Sequence, residues 1–135
     1  MSEVYMLDTD TCAFILRRSS DVLLARIQTV PVARQVMSAV TYAELLYAVQ
    51  VSTKKKANQA AVDELARHLA ILDWPADAAR HHAEIRADLK KRGAMIGSND
   101  LLIAAHARSL GAIVVTKNTQ EFARVRGIKV ENWMS

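Results

Sequence analysis

Three acidic residues, Asp8, Glu44 and Asp100, lie far apart in the sequence but in similar local settings, at or near the start of an expected helix. Carboxylates brought together from such positions repel one another, so some take up protons unless a cation compensates them. Mg²⁺ and Mn²⁺ accept carboxylate oxygens as ligands and can activate a water molecule against a phosphodiester. The three acids therefore predict a metal-dependent hydrolytic site that needs no protein nucleophile.

Asp8 directly follows the apolar run 4–7, which predicts a buried strand, and a helix is expected after it. In open α/β sheets this junction belongs to the carboxyl edge, where ligands bind. The alternative is that Asp8 only caps the helix by accepting a hydrogen bond from a free backbone N–H group.

Glu44 follows a second expected strand at 36–40. With Thr41 it fits a capping box, in which both side chains bind free N–H groups at the start of a helix. The residues three, four and seven positions beyond Glu44 are apolar, however, and a carboxylate on an apolar face is rare unless it is paired or bound to a cation. The capping and metal-binding roles can coexist.

Asp100 follows the break 97–99 and falls in the first turn of a helix that is apolar nearly all round, hence buried. The alternative role for Asp100 is a favourable interaction with the helix dipole, worth about 0.3–1 kcal/mol. The run 112–115 is the clearest strand in the chain, and it delivers Thr116 to the same edge of the sheet.

Strands and helices alternate along the whole chain, which predicts an α/β fold with a parallel sheet between two layers of helices. The length of 135 residues suits one domain, 1–135. No apolar run is long enough to span a bilayer and the N-terminus lacks signal-peptide features, so we expect a cytoplasmic protein. The single cysteine, Cys12, lies in an apolar stretch and excludes an internal disulfide.

Lysine and arginine number 18 against 14 aspartates and glutamates, a balance that favours a polyanionic partner such as nucleic acid. The triplet 54–56 is lysine throughout, which indicates either a solvated helix start or a patch that contacts phosphate. Acids at special positions and bases elsewhere suit a metal-dependent phosphodiesterase.

Five segments stand out in order along the chain: MLDTD at 6–10, TYAELLY at 41–47, IRADLK at 85–90, IGSNDLLIAAHA at 96–107 and VTKNTQEF at 115–122. In these segments the chain resembles PIN-domain proteins and, within that superfamily, the VapC toxins of bacterial toxin–antitoxin pairs. The first segment alone is a weak signal, but the five together are highly specific.

This resemblance implies a three-layer α/β/α fold with a central, mostly parallel sheet and a Mg²⁺-dependent endoribonuclease, for which Mn²⁺ is a possible substitute. The RNA substrates of this family are often tRNA. It also implies a homodimer, and a toxin–antitoxin hetero-oligomer with a tight-binding, VapB-like, DNA-binding antitoxin. Asp8, Glu44 and Asp100 match the metal-binding acids of the family.

The fourth acid is where this chain departs from the family pattern. Many PIN proteins have Asp where Asn118 stands, so the fourth role is vacant or passes to Glu121. Glu84 is a weaker candidate, because its charged helix indicates a solvated face. Family members often carry Asn where Asp10 stands, and the extra charge at Asp10 either tightens metal binding or has no effect.

Two other functions fit parts of the sequence. The run 8–11, Asp-Thr-Asp-Thr, matches the signature of haloacid-dehalogenase-like phosphatases, in which the first Asp, here Asp8, attacks phosphate. A basic α/β protein can also bind RNA or a partner without catalysis, in which case Asp8→Asn leaves function intact.

Overall fold

The computed structural model describes residues 3–135 as one central sheet flanked by helices. The strands are β1 Tyr5–Leu7, β2 Gln35–Ser38, β3 Ala70–Leu72, β4 Ile113–Val115 and β5 Lys129–Glu131. The helices are α1 Thr9–Arg17, α2 Asp21–Thr29, α3 Ala39–Val51, α4 Lys55–His68, α5 Ala76–Arg92, α6 Ser98–Leu110 and α7 Thr119–Phe122, and a 3₁₀ turn, Val32–Arg34, precedes β2.

The sheet has the strand order β3-β2-β1-β4-β5, and each neighbouring pair is parallel. Tyr5 of β1 is in register with Gln35 of β2 and Ile113 of β4. The carboxyl ends of the strands therefore meet at one edge, as the alternation of elements predicts.

Successive residues of each strand pack against different layers of helices, because side chains alternate across a sheet. Met6 and Val114 lie in a core cluster with residues of α5 and α6. Leu7 and Val115 lie in a second cluster with residues of α1 to α4. The expected three-layer α/β/α architecture is confirmed.

The start of α3 differs from the expected capping box. Strand β2 ends at Ser38, whose side-chain oxygen accepts a hydrogen bond from the Val40 backbone N–H at 3.1 Å and so caps the helix. Thr41 is consequently the third residue of α3 and is fully buried, and Glu44 lies in its second turn. The capping box at Thr41 and Glu44 is wrong, and Glu44 is free for another role.

Helix α4 ends at His68, and the short strand β3, Ala70–Leu72, pairs with β2. The three lysines of 54–56 are exposed at the start of α4. Across residues 3–135, no helix has the length and apolar character needed to cross a membrane.

Candidate active site

Asp8 lies at the junction of β1 and α1, at the carboxyl edge of the sheet. It is 2% exposed, and its Oδ1 accepts a hydrogen bond from the Thr11 backbone N–H at 2.9 Å, which caps α1. Burial raises the pKa of the Asp8 carboxyl, while hydrogen bonds from the Thr116 hydroxyl and from Thr11 oppose that rise. Thr116, which directly follows β4, therefore helps to orient Asp8.

Asp100 and Glu121 form the closest pair of acids at this edge. Burial, a hydrogen bond with Glu121 and the negative charges of Glu121, Asp8 and Asp10 together raise the pKa of Asp100 to about 7. The Gly97 backbone N–H donates to Glu121 Oε1 at 3.1 Å, and a side-chain carbon placed on Gly97 would lie 3.5 Å from Asp100 Oδ2. Gly97, just before α6, thus lies beside both carboxylates, and its backbone N–H binds that of Glu121.

Asp10 and Asn118 form the outer part of the same cluster. Asn118 Nδ2 donates to Asp10 Oδ2 at 3.0 Å, and the Asn118 backbone N–H donates to Thr116 Oγ1 at 2.9 Å. The amide of Asn118 therefore orients the Asp10 carboxylate on α1. Asn118 does not take the place of the fourth acid in this arrangement, because the acid that hydrogen bonds to Asp100 is Glu121.

Glu44 is held by a residue that the sequence did not single out. The Thr9 hydroxyl donates to Glu44 Oε1 at 2.5 Å, and it lies 3.3 Å from the Thr41 hydroxyl. A hydroxyl has one hydrogen to donate, so Thr9 gives it to the carboxylate and its oxygen can accept from Thr41. Thr9 is adjacent to Asp8 in sequence, and it connects Glu44 to that part of the site.

Glu84, the weaker candidate for the fourth acid, lies elsewhere. Its Oε1 accepts a hydrogen bond from Arg108 Nη2 at 2.5 Å, and Arg80 is 3.6 Å away. Arg108 is in the last turn of α6, whereas Asp100 is in the first, a separation of about 12 Å along the helix. Glu84 belongs to a surface ion-pair network.

The acids at the carboxyl edge have no basic partner in the described part of the chain. Ion pairs within 4.0 Å involve none of the five residues Asp8, Asp10, Glu44, Asp100 and Glu121. Their negative charge is offset by protons, hydroxyls and N–H groups alone.

The donor set fits a hard divalent cation, although the site is not preassembled. From residue 3 to residue 135, no three Asp, Glu, His or Cys side chains are close enough to hold one ion as they stand. Carboxylate, hydroxyl and amide oxygens are nevertheless the donors that Mg²⁺ and Mn²⁺ prefer. A cation beside Asp100 and Glu121 would compensate the charges of these neighbouring carboxylates, as crowded carboxylates need.

The chain is similar to known proteins along nearly its whole length. The sequence model of the PIN domain matches residues 5–128. Ribonuclease VapC2 of Haemophilus influenzae strain Rd is 38% identical over 130 residues, covering 96% of this chain and 98% of that protein. The tRNA(fMet)-specific endonuclease VapC of Salmonella typhimurium is 37% identical over 129 residues, covering 96% and 97%.

Two solved structures resemble the fold closely. DNA-bound VapBC from Salmonella typhimurium superposes with a TM-score of 0.92 at 36% identity, covering 98% of this chain and 99% of that one. VapBC2 from Rickettsia felis, bound to a DNA fragment from its promoter, gives 0.90 at 35% identity, covering 96% and 98%. PIN-domain nucleases generally depend on a divalent metal ion. With a matching family model and relatives of this identity along nearly its whole length, the chain belongs to the PIN-domain family and, within it, to the VapC ribonucleases.

Proposed function

We propose that this protein is the toxin of a type II toxin–antitoxin pair, an endoribonuclease that cleaves RNA, with tRNA as its substrate class. The names of its relatives, Ribonuclease VapC2 and tRNA(fMet)-specific endonuclease VapC, support this assignment. One structural observation carries it furthest. Acids from separate segments lie at one edge of the sheet with no Lys, Arg or His paired to them within residues 3–135.

Mg²⁺ is the ion we assign to this edge, with Mn²⁺ as a substitute. Asp8, Glu44 and Asp100 would hold it, and Glu121 would act as the fourth acid because it already hydrogen bonds to Asp100. When bound, the ion lowers the pKa of a coordinated water and stabilises negative charge that develops on the phosphodiester. Asp10, Asn118 and Thr116 act further out, as partners of these acids.

The protein's own groups prepare this site by fixing the carboxylates before RNA arrives. The Thr11 backbone N–H and the Thr116 hydroxyl orient Asp8, and the Thr9 hydroxyl binds one oxygen of Glu44 and leaves the other open. Burial and the neighbouring Glu121 raise the pKa of Asp100 to about 7, so a cation bound there would compete with the Asp100 proton. The hydrogen bonds to Asp8 and Glu44 orient single carboxylates. Binding of an ion would still have to draw the acids closer together.

The partners follow from the same relatives. The solved neighbours are VapBC complexes, some bound to DNA, which supports a VapB-like, DNA-binding antitoxin for this chain. We also propose a homodimer that assembles with the antitoxin into a hetero-oligomer. Exposed Tyr47 and Val51, one turn apart on α3 and 68% and 63% accessible, support a self-association surface.

Two further assignments complete the proposal. The family match over 5–128 and the single central sheet support one PIN domain over the whole chain, 1–135. The cytoplasm, where tRNA is found, is the proposed site of action.

The two rival functions lose their support. Attack on phosphate by Asp8 belongs to a different family from the one this chain matches. In addition, Asp8 Oδ1 is engaged with the Thr11 N–H group. A binding module without catalysis does not require unpaired acids at the edge of the sheet, and the relatives are named as nucleases.

The decisive experiment is inducible expression in bacterial cells, with and without coexpression of the proposed antitoxin, followed by mapping of new RNA 5′ ends. We expect growth arrest and new ends within tRNA, both prevented by Asp8→Asn and by coexpression of the antitoxin. Absence of new ends, or equal cutting by Asp8→Asn, would contradict the proposed function.

A further inference from the structure

One face of α1 runs away from the acids, and its side chains change from acidic to aromatic to basic within two helical turns. Asp10, Phe14 and Arg17 are four and three residues apart, so they lie along the same side of this helix. At 1.5 Å per residue, Phe14 is about 6 Å beyond Asp10 and Arg17 about 4.5 Å further. The surface thus passes from carboxylate to aromatic ring to guanidinium.

The loop after β4 adds a second cation to the same ring. Lys117 Nζ lies 5.2 Å from the centroid of the Phe14 ring, and Arg17 Cζ lies 4.9 Å from it. Lys117 stands between Thr116, which hydrogen bonds to Asp8, and Asn118, which hydrogen bonds to Asp10. The ring attracts both cations through its negative face and so holds them close to each other.

Both cations are available to a ligand. Arg17 and Lys117 are exposed, and neither makes an ion pair with a carboxylate of residues 3–135. A polar cleft of about 380 Å³ continues from Lys117 along Asn118 and Glu121 to Arg124. The cleft shares Glu121 and Asn118 with the acid cluster, so the two are continuous.

We propose that Phe14, Arg17 and Lys117 form a basic rim that binds the phosphates of the RNA strand next to the scissile phosphate. The inference rests on the proposed nuclease function, and it assigns a substrate-binding role to residues outside the acid cluster. Unpaired cations fixed on an aromatic ring match the charge of a nucleic-acid backbone and read no base sequence. The rim therefore sets affinity and strand position, while the acids perform the reaction.

The test is RNA binding in an Asp8→Asn background, where cleavage does not interfere. Binding of a short fluorescein-labelled single-stranded oligoribonucleotide is measured by anisotropy over a series of salt concentrations. Arg17→Gln and Lys117→Gln should each weaken binding about 3- to 10-fold at low salt, and each should lower the slope of log affinity against log salt by about 0.7. A purely structural role would not change that slope.

Two variants separate charge from packing. Phe14→Leu keeps both charges but removes the ring that holds them, so it should weaken binding about 2- to 5-fold and leave the salt slope unchanged. Lys129→Gln removes an exposed lysine at the amino end of β5, on the opposite edge of the sheet, and should have little effect. Equal losses at Lys129 and Lys117 would overturn the proposal, since net charge alone would then explain the binding.

Cleavage by the same substitutions in otherwise native protein distinguishes this inference from the function on which it rests. The rim variants should raise KM and change kcat little. Unchanged affinity in Arg17→Gln and Lys117→Gln, with cleavage still lost in Asp8→Asn, would overturn the rim and leave the nuclease intact. Cleavage that persists in Asp8→Asn would instead remove the nuclease assignment itself.

Discussion

Two acidic regions of this molecule contain the same residue types but differ in whether basic side chains pair with them. On the outer surface of α4 and α5, acids pair with bases one helical turn away or on a neighbouring helix; these acids are Glu64, Asp77, Glu84 and Asp88. At the carboxyl edge of the sheet, the acids have no basic partner among residues 3–135. The first region is neutralised by bases of the same chain, and the second is not.

The pKa values follow this division. Hydrogen bonds from Arg92 lower the pKa of Asp88, and hydrogen bonds from His68 and Arg67 lower that of Glu64. Burial raises the pKa of Asp8, and burial together with Glu121 raises that of Asp100. The charged forms of Glu64 and Asp88 are thus stabilised, whereas those of Asp8 and Asp100 are disfavoured. This is expected where function and not stability selects the residues.

The largest expected effect is on cleavage. Asp100→Asn removes a negative charge from the proposed metal site, as does Glu121→Gln. Asp100→Asn should reduce RNA cleavage by about 10³-fold or more, since metal-ion stabilisation of the transition state is worth several kcal/mol. Initial rates on a labelled tRNA measure the loss. Glu64→Gln on the paired surface serves as the matched control, and a comparable loss there would erase the distinction between the regions.

Metal binding should stabilise the protein through the edge acids alone. At a concentration of about 100 times its dissociation constant, Mg²⁺ or Mn²⁺ should raise the free energy of unfolding by about 2.7 kcal/mol. Thermal or urea denaturation with and without the ion measures this gain. Asp100→Asn should remove most of it and Asp88→Asn should not, so stabilisation that survives in Asp100→Asn would show that the ion binds elsewhere.

Thr9 tests whether Glu44 belongs to the edge site. Thr9→Val has nearly the same shape without the hydroxyl that donates to Glu44, and partners of metal ligands typically contribute about 10- to 100-fold in affinity or activity. Mn²⁺ affinity, measured by electron paramagnetic resonance, should fall by that order, and Thr9→Ser should restore much of it. Equal affinities in the threonine and valine proteins would argue that Glu44 does not bind the ion.

A separate expected effect is on the pH dependence of stability without metal. The pKa of Asp100 rises from its ordinary value of 3.8 to about 7 on folding, so the folded protein binds the proton more tightly than the unfolded chain does. Stability should therefore fall as pH rises from about 4 to about 7. Melting temperatures across that range should fall less in Asp100→Asn, whereas Asp88→Asn should keep the full slope, because the lowered pKa of Asp88 acts only at more acidic pH. An identical slope in Asp100→Asn would contradict the raised pKa.

Most of the fold could be predicted from the sequence because its local signals agree with one another. Ser20 caps α2, Pro75 precedes α5, and Gly93 and Gly111 end α5 and α6 in the left-handed conformation. The start of α3 could not be predicted in the same way. Ser38 and Thr41 both offer a hydroxyl for capping, and the end of β2 decides between them.

The candidate site was predictable at the level of its acids and not of their partners. Asp8 and Asp100 stand beside strong strand and helix signals, so their positions follow from local patterns. The hydrogen bond from Thr9 to Glu44 joins residues 35 positions apart in the sequence. The contact of Glu121 with Asp100 joins residues 21 positions apart, so no local sequence pattern encodes either contact. Such contacts depend on how the helices pack on the sheet.

Anomalous diffraction from crystals soaked in Mn²⁺ tests the unpaired edge as a metal site most directly. The account predicts a manganese peak about 2 Å from carboxylate oxygens of Asp8 and Asp100, with Glu44 or Glu121 turned toward it, and no peak at the paired acids of α4 and α5. Asp8 and Asp100 facing apart with no ion between them, or a peak confined to the paired surface, would contradict it.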